Sequence, residues 1–119
     1  MYKITFMGAG STIFAKNVIG DTMCCEPFHD AEFALYDIDS DRLEESYIMI
    51  DALNRSINGG KAKITKHLGI PERKNALAGA DFVVNAIQVG GYEPCTVIDF
   101  EIPKKYGIRQ TIGDTLGLG

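Results

Sequence analysis

The first two dozen residues constrain the fold more than any other part of the chain. An apolar run at residues 4–7 breaks into Gly8-Ala9-Gly10-Ser11-Thr12. Ile13, Phe14, Val18, Ile19 and Met23 then follow close to the spacing of a helix with one apolar face. A short apolar run bounded by glycine reads as a buried strand, so the segment is a strand, a tight bend and a helix. Pro27 cannot continue that helix, which is expected to stop near Cys24 or Cys25. Glu32-Phe33-Ala34-Leu35-Tyr36-Asp37 makes a second strand that ends on an acid. Leu43, Tyr47, Ile50, Leu53 and Ile57 recur every three or four residues and predict a long helix. Ser40 or Asp41 is placed to cap it, Asp41 and Glu44 stand at capping-box spacing, and Asn58-Gly59-Gly60 ends it.

The pattern then repeats. A weaker strand is predicted at residues 62–66, a short helix at 71–78 and a strand at 81–87 that is apolar on both faces. Gly90-Gly91 breaks that strand, and residues 97–106 carry a helical pattern in which Pro103 predicts a kink or an interruption. Strands that alternate with helices imply parallel strands joined by right-handed crossovers. The order β-α-β-α-β-α-β is the first half of an α/β, Rossmann-like doubly wound sheet. Residues 1–119 therefore read as one N-terminal dinucleotide-binding segment without repeats or linkers. The loop composition of Thr115-Leu116-Gly117-Leu118-Gly119 suggests truncation, with the remaining strands expected on the other side of the first and a substrate domain absent.

Composition removes other classes. Apolar residues make up 45% of the 119, too many for a disordered chain, and no run approaches the length of a membrane-spanning helix. Sixteen acidic against twelve basic side chains, a net charge of −4, argues against a nucleic-acid partner. Three cysteines without framework spacing, Cys24, Cys25 and Cys95, suggest buried thiols in a reducing compartment. The N-terminus reaches Gly8 too early to hold a signal segment, so a cytoplasmic location is expected.

Gly8-x-Gly10 between a strand and a helix is the pattern of a phosphate loop. The first glycine permits the turn, the second lets a diphosphate approach bare backbone, and the helix N-terminus supplies N–H groups and a positive dipole end. Ser11 and Thr12 can add hydroxyl donors. Ile13 stands where a third glycine is usual and is expected to widen the packing of helix on strand. Asp37, 29 residues after Gly8, is positioned to accept from ribose hydroxyls and to favour NAD over its 2′-phosphate, with Arg42 as a nearby cation that weakens the discrimination. Asn85, Gln88 and Val89, at the end of the 81–87 strand, are candidates to line the inner ribose and nicotinamide. The plainer alternative makes Gly8 and Gly10 an ordinary turn, Asp37 a helix cap and Asn85 a strand-end residue that satisfies backbone groups.

Longer runs carry a family resemblance. Lys3-Ile4-Thr5-Phe6-Met7-Gly8-Ala9-Gly10-Ser11-Thr12, Leu35-Tyr36-Asp37-Ile38-Asp39, Val89-Gly90-Gly91-Tyr92-Glu93-Pro94-Cys95-Thr96 and Gly113-Asp114-Thr115-Leu116-Gly117 together resemble the start of a family 4 glycoside hydrolase, nearest its α-galactosidase (melibiase) branch. The family usually continues Leu-Gly-Pro-Gly-Gly, where this chain has Leu118-Gly119 after Gly117.

The resemblance implies a dehydrogenase-like fold and hydrolysis of an α-galactoside by oxidation, elimination, addition and reduction. NAD would take and return a hydride at C3 of the sugar, and a divalent metal, commonly Mn²⁺, would assist loss of the C2 proton. The metal-binding Cys and His motifs of the family do not occur here, so Cys24, Cys25, Cys95, His29 and His67 are expected to be structural, and the base and acid to lie beyond Gly119. Asp114 and Thr115 are candidates to touch sugar hydroxyls or the nicotinamide end. The full protein is expected to be a homo-oligomeric enzyme with a small sugar substrate and no membrane partner. The 119 residues alone are expected to be inactive, with exposed strand edges inviting self-association. Two alternatives remain at this point: the opening half of an NAD-dependent hydroxyacid dehydrogenase, and a non-catalytic NAD-binding module.

Overall fold

Four parallel strands form one sheet in the computed structural model, which describes residues 1–88 and 90–109. They are β1 (Lys3–Met7), β2 (Glu32–Asp37), β3 (Lys63–Leu68) and β4 (Phe82–Asn85), in the spatial order β3-β2-β1-β4. The helices between them are α1 (Thr12–Met23), α2 (Ser40–Ile57) and α3 (Gly69–Leu77). The chain divides into two compact units, Met1–Ile87 and Gln88–Gly119. The described part of the second holds a kinked turn, Gly91–Thr96, extended at Glu93, followed by α4 (Val97–Lys105), which runs through Pro103. Val89, Asp114 and Thr115 lie outside the described residues.

Period-two alternation divides the sheet between two faces. Ile4, Phe6, Phe33 and Leu35 point to one face and pack with Ala15, Ile19 and Met23 of α1 and Leu43 and Ile50 of α2. Met7 and Tyr36 point to the other, where they pack with Ala76 of α3. Hydrogen bonds reinforce this thinner face. The Thr5 hydroxyl donates to the Ala76 carbonyl at 2.6 Å, and the Lys3 ammonium donates to the carbonyls of Ala78 and Asn75.

Several expectations shift. The α1 stripe is phased on Ala15, Ile19 and Met23, whereas Ile13 is 74% exposed, so it does not wedge the helix away from the strand. On α2 the buried stripe is Leu43, Ser46, Ile50 and Asn54, with two polar members in place of Leu53 and Ile57. Its cap is Asp39, whose carboxylate accepts from the N–H groups of Asp41 and Arg42, because that residue is extended while Ser40 and Asp41 are already helical. Cys24 and Cys25 are exposed free thiols, not buried ones, since the stripe of α1 ends at Met23. β3 begins one residue later than expected and runs to Leu68. β4 is shorter than the apolar run that predicted it, and Phe82 and Val83 stay about half exposed. It also lies on the far side of β1 from β2, so β1 is paired along both edges and the outer strands among the described residues are β3 and β4.

Candidate functional site

The chain passes from β1 to β2 to β3 in one direction along the sheet and then returns across β1 to β4. The carboxyl ends of β1 and β4 therefore flank the switch point at which open α/β sheets bind ligands. The bend between β1 and α1 opens there.

Each N–H of the bend has a partner within the protein. Gly8 and Ala9 both donate to the Tyr36 carbonyl at 2.9 Å, Gly10 donates to Asp37 Oδ2 at 2.7 Å, and Ser11 donates to the Gly8 carbonyl at 3.1 Å. The next three N–H groups, those of Thr12, Ile13 and Phe14, form the first turn of α1, whose donors have no acceptor inside the helix. Ser11 stands at the cap position, yet its side chain makes no capping bond. The Thr12 hydroxyl instead donates back to the Gly10 carbonyl at 3.2 Å. The result is an uncapped helix start, with aligned donors and the positive end of a twelve-residue helix dipole, suited to an anion.

Both glycines are required by close approach. Gly8 has φ +89°, and a Cβ there would stand 2.4 Å from the Ala86 carbonyl oxygen, just past β4. A Cβ on Gly10 would stand 2.7 Å from Asp37 Oδ2 and 2.9 Å from the Arg42 Cβ. On its Cβ side the space beside Gly10 is thus taken by the end of β2 and the start of α2.

Asp37 is half-buried and its two oxygens do different work. Oδ2 holds Gly10, and Oδ1 accepts the N–H of Asp39 at 2.9 Å. A carboxylate has about four acceptor sites, so each oxygen keeps a lone pair for a diol. Arg42 makes a loose, exposed pair with Asp39 at 3.9 Å. Asn85 is exposed, and its Oδ1 accepts the N–H of Ile87 at 3.3 Å. Gln88 belongs to the second unit, where its amide donates to the Thr96 hydroxyl at 3.4 Å. Among the described residues, no three His, Cys, Asp or Glu side chains group as a metal site.

One residue at the bend escapes a reading based on apolar periodicity. Ser46, in the second turn of α2, donates its hydroxyl to the Ala9 carbonyl at 2.6 Å. Its signal is positional: Ser46 lies three residues after Leu43 and four before Ile50, inside the buried stripe.

The family described as Family 4 glycosyl hydrolase matches residues 3–119. The chain is 59% identical over 119 residues to an alpha-galactosidase of Bacillus subtilis (strain 168), covering 100% of this chain and 27% of that protein. It is 34% identical over 118 residues to an alpha-galactosidase of Rhizobium meliloti (strain 1021), covering 99% of this chain and 23% of that one. An alpha-glucosidase of Erwinia rhapontici is 28% identical over 123 residues, covering 98% of this chain and 25% of its own length. The chain thus spans about a quarter of the length of these relatives.

Proposed function

The chain belongs to the family 4 glycosyl hydrolases, and from that premise we propose that it is the NAD-binding part of a glycosidase that hydrolyses α-galactosides with NAD and a divalent metal, Mn²⁺ foremost. The choice of sugar is supported by the alpha-galactosidase at 59% identity; at 34% the relatives include both an alpha-galactosidase and an alpha-galacturonidase, so that level does not discriminate.

The observation that carries the cofactor part is the uncapped first turn of α1 beside Asp37. The N–H groups of Thr12, Ile13 and Phe14 would hold the diphosphate, and Asp37 would accept from the hydroxyls of the adenosine ribose. The carboxylate also repels a 2′-phosphate. When bound, the dinucleotide supplies reversible removal of a hydride from the sugar, so that hydrolysis proceeds with no net redox change. This chain's residues bind and orient: Asp37 fixes the ribose relative to the bend it also holds, and Asn85 stands where β4 opens toward the nicotinamide half. Ligands for the metal are assigned outside the described residues.

The test uses the full-length protein and an α-galactoside. Dialysis to remove NAD⁺, or chelation of the metal, abolishes hydrolysis, and adding back both restores it without accumulation of NADH. Hydrolysis at an undiminished rate with neither present overturns the proposal.

A further inference from the structure

We infer that Ser46 is a positioning residue for the nucleotide diphosphate, a role that rests on the dinucleotide reading and deepens it. Ser46 and Ala9 are each 0% exposed, and the 2.6 Å bond between them joins α2 to the bend across 37 residues of sequence. On the other side of the same peptide unit, the N–H of Gly10 is held by Asp37 at 2.7 Å. The C=O and N–H of a trans peptide point in opposite directions. The Ala9–Gly10 unit is therefore clamped at both ends by separate elements, its oxygen by α2 and its N–H by the end of β2. It cannot rotate without breaking both bonds.

That restraint matters at an anion site. Rotation of the peptide would set its oxygen against the Asp37 carboxylate and shift Gly10, from which the chain enters the uncapped turn of α1, so the N–H groups of that turn would lose the alignment a diphosphate needs. The Ser46 hydroxyl ties that oxygen down on the α2 side. Alanine would serve the helix better by propensity and would fill the buried stripe equally well, so the hydroxyl is explained by the bond and not by the helix. Asn54, the other polar member of the stripe, supplies a contrast. Its side chain bonds the carbonyl and N–H of Ala62, just before β3, and the Asn58 amide, all away from the bend.

The probes are ADP, which carries the diphosphate, and adenosine, which does not, titrated into the full-length protein. Ser46→Ala leaves the Ala9 oxygen unpaired and is expected to weaken ADP binding about tenfold while adenosine binding stays unchanged. Asn54→Ala is expected to lower stability and leave both affinities alone, which separates positioning from general loosening. Amide hydrogen exchange at residues 8–12, without nucleotide, is expected to accelerate in Ser46→Ala and not in Asn54→Ala. A parent protein that binds ADP, with a Ser46→Ala variant that binds it equally well or loses ADP and adenosine alike, overturns the role of Ser46. A parent protein that binds no ADP overturns the dinucleotide reading itself. Unchanged exchange in Ser46→Ala refutes the clamp independently of any nucleotide.

Discussion

The bend after β1 and the end of β4 lie at the same edge of the sheet, yet they are built in opposite ways. At the bend, the N–H groups of Gly8, Ala9 and Gly10 bond to the end of β2 and that of Ser11 closes on Gly8, and alanine and glycine backbone fits against β2, α2 and the residues after β4. At the end of β4, Asn85 and Ile87 are exposed, and a side-chain bond joins them to each other. The difference teaches that the bend is shaped by tertiary contacts of its own backbone, whereas the strand end beside it keeps its side chains exposed.

The largest effect expected from this contrast is at Gly8. Alanine there would hold a left-handed backbone and push a methyl onto the Ala86 carbonyl, which is part of the backbone and cannot swing aside. The two penalties together are expected to cost about 3 kcal/mol in urea unfolding. An unchanged midpoint would break the claim that the bend is rigid. Asp37→Ala comes next. It removes the acceptor of two backbone N–H groups, so stability without ligand is expected to fall by about 2 kcal/mol, and NAD⁺ affinity by a similar amount. Loss of affinity with stability intact would show that the carboxylate serves the ribose alone. Gly10→Ala is milder. Its Cβ meets a carboxylate that can rotate away and the Cβ of Arg42, and a cost of about 1.5 kcal/mol is expected, with NAD⁺ affinity falling because Asp37 is displaced.

How much of this was legible beforehand follows from the physics of each feature. The β-α-β order and the placement of Gly8, Gly10 and Asp37 were readable because strand runs, glycine breaks and a terminal acid are local signals. Ile19 and Met23 of the expected α1 stripe are buried, but its start differs: Ile13 is apolar and exposed, Phe14 is half exposed with its ring against Phe6, and the buried position is taken by Ala15, which periodicity weighs lightly. Ser46 and Asn54 were passed over for a related reason. A buried polar side chain is tolerated only where a distant backbone group meets it, and that partner is a property of the fold. The role of Gly10 was only half legible, since sequence marks a glycine without saying which neighbour needs the space.

The smallest effect is expected at Asn85, and it sharpens the comparison most. The side chain is exposed and its bond to the Ile87 N–H is 3.3 Å long. Asn85→Ala is therefore expected to change unfolding stability by no more than about 0.5 kcal/mol, as for surface positions away from special features. If the end of β4 faces the nicotinamide half, the same variant leaves ADP affinity untouched, because ADP reaches only the bend, and weakens NAD⁺ by a few-fold. Isothermal titration with both ligands separates the two ends. A drop in ADP affinity would mean that the end of β4 supports the bend after all, and the contrast between a preformed half-site and an open one would fail.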